Sequence, residues 1–158
     1  MPWFHQPSIT LTRIGVLAST VCWLSACADT GRPAVERAEQ EVLSIHDAIM
    51  PKIDDLLTAQ RRLKVRLATL DSTAENGSAS SVLRLDEDRH QARRLLRDLN
   101  VADSLMTRWM AQYRYDTLAG LPTDEALHYL DGQKASITDV TTKVNESLDH
   151  TRQFLANP

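Results

Sequence analysis

The chain has 158 residues, 25% of them charged and 42% hydrophobic, with a formal net charge of −3. That length suits one domain with a single core, and the mildly acidic balance argues against binding nucleic acid through bulk positive charge. Both cysteines, Cys22 and Cys27, lie at the start of the chain, so no disulfide framework or thiolate metal site is expected beyond them.

Residues 1–26 read as a secretory signal. Arg13 is their only formal charge, and an apolar run from Ile14 to Leu24 follows it. A run of about eleven residues has the length of a signal h-region and falls short of the roughly 20 needed to span a bilayer. It ends in Leu24-Ser25-Ala26-Cys27, which resembles the lipobox of bacterial lipoproteins. The chemistry explains the spacing. Small side chains at Ser25 and Ala26 let a peptidase grip the extended backbone, and the Cys27 thiol accepts diacylglycerol through a thioether. Cleavage between Ala26 and Cys27 then makes Cys27 the mature N-terminus and discards Cys22. It removes one cation, Arg13, and no acid, so the net charge moves from −3 to −4. A lipoprotein cysteine carries at least two acyl chains. At about 0.8 kcal/mol per buried methylene, two chains anchor a protein stably. Apart from this covalent lipid, no cofactor is expected. Asp29 stands one place beyond the residue after Cys27, which favours the outer membrane over the inner.

Residues 27–33 are then a lipidated N-terminus and tether, and 34–158 a helical domain. From Ala34 to Leu70, Val35, Val42, Ile49, Leu56, Leu63 and Leu70 recur every seventh residue. Ala38, Ile45 and Ala59 fall at the companion position, Ile53 and Leu67 widen the stripe, and Lys52 and Arg66 interrupt the companion row. This pattern predicts a bundle-type helix. Pro51 removes a backbone donor, but the period holds across it, so a kink is expected rather than an end. The polar stretch 71–81 contains Asn76-Gly77 and reads as a loop.

A second helix is predicted from Val82 to Tyr113. Leu85, Ala92, Leu99, Met106 and Tyr113 keep the seven-residue period, with Leu95, Ala102 and Trp109 beside them and Leu96 and Met110 extending the stripe. Asp86, Glu87 and Asp88 complement the dipole of its first turns. Tyr115–Pro122 reads as a connection. Thr123 suits an N-cap, and a third helix runs to Ala156 with the stripe Ala126, Leu130, Ile137, Val140, Val144, Leu148 and Phe154 or Leu155.

Three long helices with short connections and no strand pattern predict an all-α fold. The expected form is an antiparallel up-down-up three-helix bundle with coiled-coil-like seams. A dimer of helical hairpins satisfies the same stripes. An anchor at Cys27 would place the start of helix one near the membrane and the 71–81 end far from it.

Two segments carry a family resemblance. One is Ser44-Ile45-His46-Asp47-Ala48-Ile49-Met50-Pro51-Lys52-Ile53. The other is Trp109-Met110-Ala111-Gln112-Tyr113, followed by Tyr129-Leu130-Asp131-Gly132-Gln133-Lys134-Ala135-Ser136-Ile137. With the lipobox, they resemble small bacterial lipoproteins labelled "viral A-type inclusion protein", a label that reflects coiled-coil similarity. The resemblance implies an envelope location and a helical fold, and it implies no catalytic residue.

Candidate site residues are few. Three histidines have an acid four residues earlier: Asp86 with His90, Asp124 with His128, and Glu146 with His150. Each pair shares a helix face and could offer two metal ligands, although an exposed pair that steadies its own helix is the simpler account. His46 lies one step off the core face. Arg61, Arg62, Lys64 and Arg66 end helix one, and Arg84, Arg89, Arg93, Arg94 and Arg97 begin helix two. An antiparallel pairing gathers them toward one end, as a basic region that could meet an acidic envelope polymer. Trp109 and Tyr113 belong to the core stripe, while Tyr115 suits a lipid interface. No nucleophile–base set, phosphate loop or HExxH-type motif is present, so no catalytic role is expected. The expected role is a lipid-anchored interaction module whose partners are the membrane and an envelope protein or acidic polymer. The alternatives are a structural spacer or self-associating coiled coil, and a bundle that binds a small ligand or metal.

Overall fold

The structure is a computed structural model that describes residues 31–74 and 79–156. Three long helices, α1 (Arg32–Ala74), α2 (Ala79–Gln112) and α4 (Thr123–Ala156), are joined with one single-turn helix, α3 (Tyr115–Leu118). Each long helix packs against the other two. Cross-helix bonds fix the directions. Glu41 pairs with Lys134 and Asp55 with Arg152, so α1 and α4 run parallel. Glu39 meets Tyr113 and Asp71 meets Arg89, so α2 runs antiparallel to both. This is the up-down-up three-helix bundle that the stripes predict.

The seven-residue rows supply the core. Val42, Ile49, Leu56 and Leu63 of α1 are buried with Ala92, Leu99 and Met106 of α2 and with Leu130, Ile137, Val144 and Leu148 of α4. Ala38, Ile45, Ile53 and Leu67 are half-buried against this cluster. The two breaks in the companion row are cations that reach outward. Lys52 Nζ donates to Asn145 Oδ1 at 2.5 Å, and Arg66 lies 4.0 Å from Asp88. Met110 departs from expectation. It lies at the margin of the α2 stripe and is 42% exposed. Of the two candidates at the end of α4, Phe154 is buried and Leu155 half-buried.

The helix ends differ more from expectation. Helix one starts two residues early, at Arg32, because the Gly31 carbonyl accepts from both Ala34 and Val35. Arg32 and Pro33 therefore belong to the first turn and not to the tether, and Pro33 loses nothing there because first-turn amides have no intrahelical acceptor. A Cβ on Gly31 would overlap the side chain of Thr123, so the glycine lets the starts of α1 and α4 approach. The 71–81 loop is shorter than expected. Helix α1 continues to Ala74, with the Ser72 and Thr73 hydroxyls donating to carbonyls four residues back, and α2 already begins at Ala79. Asn76-Gly77 lies outside the described residues. Pro51 sits in an uninterrupted helix on an exposed position. The 115–122 connection folds its first half into α3, which buries Leu118. Thr123 is the first residue of α4 rather than its cap, and the Pro122 carbonyl accepts from Ala126.

Helix α4 ends short of its neighbours. Lys134 is level with Glu41 and Asn145 with Lys52, an offset of 93 residues, so Ala156 reaches only about as far as Leu63. Beyond that level α1 and the start of α2 form a two-helix hairpin among the described residues. The Arg66–Asp88 pair crosses between them just past the end of α4.

Candidate functional site

The anchor residues Ala26 and Cys27 lie outside the described residues, as does the whole signal stretch. What the structure supplies is the body that such an anchor would carry. No helix among the described residues is long and apolar enough to cross a membrane.

The nine cations singled out from the sequence occupy several separate faces. Arg61, Arg62 and Arg66 line one shallow groove with Leu155 of α4. They stand beside the C-terminal end of α4, whose last turn contains no basic residue of its own. Cations there oppose the partial negative charge of the helix end. Arg61 also donates to Thr58 Oγ1 at 2.8 Å. Arg89 is tied down, with 2.6 Å to Asp71 and 2.9 Å to Asp86. Burial disfavours its charge, but the two carboxylates outweigh that and hold its pKa above the ordinary arginine value. Arg93 lies 3.9 Å from the same Asp71. These two and Arg66 are structural ties between α1 and α2.

Arg62, Lys64, Arg84, Arg94 and Arg97 form no ion pair among the described residues. Two of them look outward from α2. Arg94 lines a depression between α2 and α4 with Asp98 and His150. Arg97 lines another that belongs to α2 alone, with Asn100, Val101, Ser104, Leu105 and Arg108. Arg108 was not among the candidates from sequence, because it stands eleven residues beyond Arg97, apart from the dense cluster at 84–97. The signal that finds it is helical spacing, since Arg94, Arg97, Val101, Ser104 and Arg108 follow one another by three or four residues and share a face.

The second concentration of side chains is a stack of rings at the opposite end of the bundle. His46 of α1 lies against Trp109 of α2 with ring centroids 5.3 Å apart, and Trp109 against Tyr113 at 5.2 Å. Tyr113 then meets Tyr129 of α4 at 6.3 Å. The spacings suit offset aromatic packing. His46 Nδ1 is 3.0 Å from Asp47 Oδ1, the Tyr113 hydroxyl donates to Glu39 Oε1 at 3.3 Å, and the Arg114 amide donates to the Tyr129 oxygen at 2.8 Å. Burial, helped by the Glu39 carboxylate, pushes the Tyr113 phenol well above its ordinary pKa. The stack ties all three long helices together, and Trp109 is 5% exposed. Tyr115, by contrast, is 73% exposed at the start of α3.

The three acid–histidine pairs do not come together. Asp86 is occupied by Arg89, and Glu146 accepts from Lys143 at 3.2 Å. No group of three or more His, Cys, Asp or Glu gathers to hold a metal among the described residues. No known family, curated protein or solved structure matches the chain.

Proposed function

We propose that this chain is a lipid-anchored cell-envelope protein whose helical bundle serves as a non-catalytic interaction module. The observation that carries the reading is Leu24-Ser25-Ala26-Cys27 at the end of an eleven-residue apolar run, five residues ahead of α1. A rigid bundle that begins so close to an acylated cysteine stands on the membrane surface through its lipid. The exposed faces of α2 and α4 are then what it offers to other components. The outer membrane is the favoured location from the position of Asp29, and the resemblance to small bacterial lipoproteins implies an envelope location.

The test compares intact mass and cell fractionation of the wild type and Cys27→Ala. The expected wild-type mass begins at Cys27 and includes acyl chains, and the substitution abolishes both the acyl mass and membrane retention. An unlipidated wild-type chain in the soluble fraction would sink the reading.

A second reading, self-association, is favoured by one feature. Leu43, Met50 and Leu57 recur every seventh residue on α1 outside the core row, and Leu43 and Leu57 are exposed. This is the spacing of a coiled-coil seam. Sedimentation showing a strict monomer at all concentrations would remove it.

A further inference from the structure

We infer that the outward face of α2 binds an acidic polysaccharide along Arg94, Arg97 and Arg108; this names a partner for the interaction module and rests on that reading. The first support is how differently the helices use their cations. On α4 all three are paired: Lys134 with Glu41, Lys143 with Glu146, and Arg152 with Asp149 and Asp55. On α2, Arg89 and Arg93 are paired toward α1, while Arg84, Arg94, Arg97 and Arg108, like Arg62 and Lys64 of α1, form no ion pair among the described residues. Asp98 lies one turn beyond Arg94 and Asp103 between Arg97 and Arg108, yet neither closes a bridge with them. In a chain of net charge −3, Arg97 and Arg108 stand as free guanidinium groups beside a depression that α2 lines alone, with Arg94 at its edge toward α4.

The second support is the floor between those groups. Val101 is 53% exposed and Leu105 half-buried, and both lie in the depression that Arg97 and Arg108 border. Asn100 adds an amide, and the Ser104 hydroxyl donates to the Asn100 carbonyl at 2.8 Å. From Arg97 to Arg108 the helix rises about 16 Å. A guanidinium at either end offers paired N–H donors to a carboxylate. The apolar Val101 and Leu105 between them suit the C–H face of a sugar ring better than a fully hydrated phosphate chain. Charge and floor together select a linear glycan bearing carboxylates.

The test uses the full-length protein purified from whole-cell extracts in nonionic detergent, titrated calorimetrically with polygalacturonate oligomers. Fully methyl-esterified oligomers and inorganic polyphosphate serve as comparison ligands. The acidic oligomer is expected to bind, the esterified one not to. Arg97→Gln with Arg108→Gln is expected to weaken binding by about tenfold and make it less salt-sensitive. Val101→Asn is expected to weaken the glycan but not polyphosphate. All three positions are exposed or on the helix surface, and circular dichroism checks that the helices persist. Lys143→Gln with Arg152→Gln removes the same charge from α4 and is expected to leave binding unchanged. Three results would each overturn the proposal: no binding of the acidic oligomer, equal weakening by the α4 pair, or polyphosphate binding as well as the glycan with Val101→Asn without effect. Membrane retention read on the same preparations separates the two readings. A retained protein that binds no glycan defeats this face alone, while glycan binding by a protein that lacks the lipid supports the face and defeats the anchor.

Discussion

Thr151 is fully buried, yet its Oγ1 finds no hydrogen-bond partner. Ser147, one turn earlier on the same side of α4, donates to the Lys143 carbonyl at 2.7 Å. A buried hydroxyl without a partner costs about 1–3 kcal/mol of desolvation, and valine has nearly the same shape. Thr151→Val is therefore expected to stabilise the bundle by about 1 kcal/mol, read as a higher urea midpoint at unchanged slope. A lower midpoint would mean that the hydroxyl is satisfied in solution. Tyr113 makes the contrasting case, a polar tip that is buried and bonded. Its phenol is neutral in the fold and its pKa is raised, chiefly by burial and then by Glu39. The unfolded chain ionises this tyrosine near pH 10, while the folded chain holds its proton. The contribution is complete below that pH and is lost as pH rises through the folded value. Titration by tyrosinate absorbance is expected to show a late-ionising component in the wild type that Tyr113→Phe removes.

At the level of the helix, Pro51 is the feature most at odds with its surroundings. It lies in the interior of a 43-residue helix, and its ring leaves the Asp47 carbonyl without an intrahelical donor. The position is exposed, so water can solvate that carbonyl and the core row passes on undisturbed. An interior proline costs about 3 kcal/mol relative to alanine, part of it offset because proline also stiffens the unfolded chain. Pro51→Ala is expected to stabilise the protein by about 2 kcal/mol, checked by thermal unfolding. An unchanged or lower midpoint would show that the packing of Ile49 and Ile53 depends on the path that proline imposes. What made α1 legible from sequence is that its core signal is periodic, and periodicity survives a local defect. The same holds for Leu99, Met106 and Leu148. Helix ends carry no period. Ser72 and Thr73 look like loop residues, but bond back to their own helix. Leu118 is an isolated apolar residue in a polar connection, and only the docking of α3 buries it. The candidate face on α2 was half legible. Its arginines are plain in the sequence, but which are already paired depends on Asp71 arriving from α1.

Across the whole molecule, the up-down-up path leaves α1 and α4 parallel, the one pair of long helices whose dipoles do not oppose each other. Along this pair the sequence places reciprocal ties: Lys134 to Glu41 at 2.6 Å, Lys52 to Asn145 at 2.5 Å and Arg152 to Asp55 at 3.3 Å. These are exposed, so each contributes little by itself and is screened by salt. Their spacing along one groove, about eleven residues from Glu41 to Lys52 and three more to Asp55, makes them a register device as much as a source of stability. Glu41 reports on it. Its hydrogen bond to Lys134, and then the charge of that lysine, hold its carboxyl below the ordinary glutamate value. A depressed carboxylate stabilises the fold above its unfolded pKa of about 4.3. That contribution is lost as pH falls through the lower, folded value. Glu41→Gln is therefore expected to be less stable than the wild type at neutral pH and low salt. The gap should close as the solution is acidified below that range, and it should narrow at neutral pH as salt is raised. Urea midpoints measured across pH and ionic strength check this. A gap that persists in acid would mean that the difference between the two side chains does not arise from the charge of Glu41.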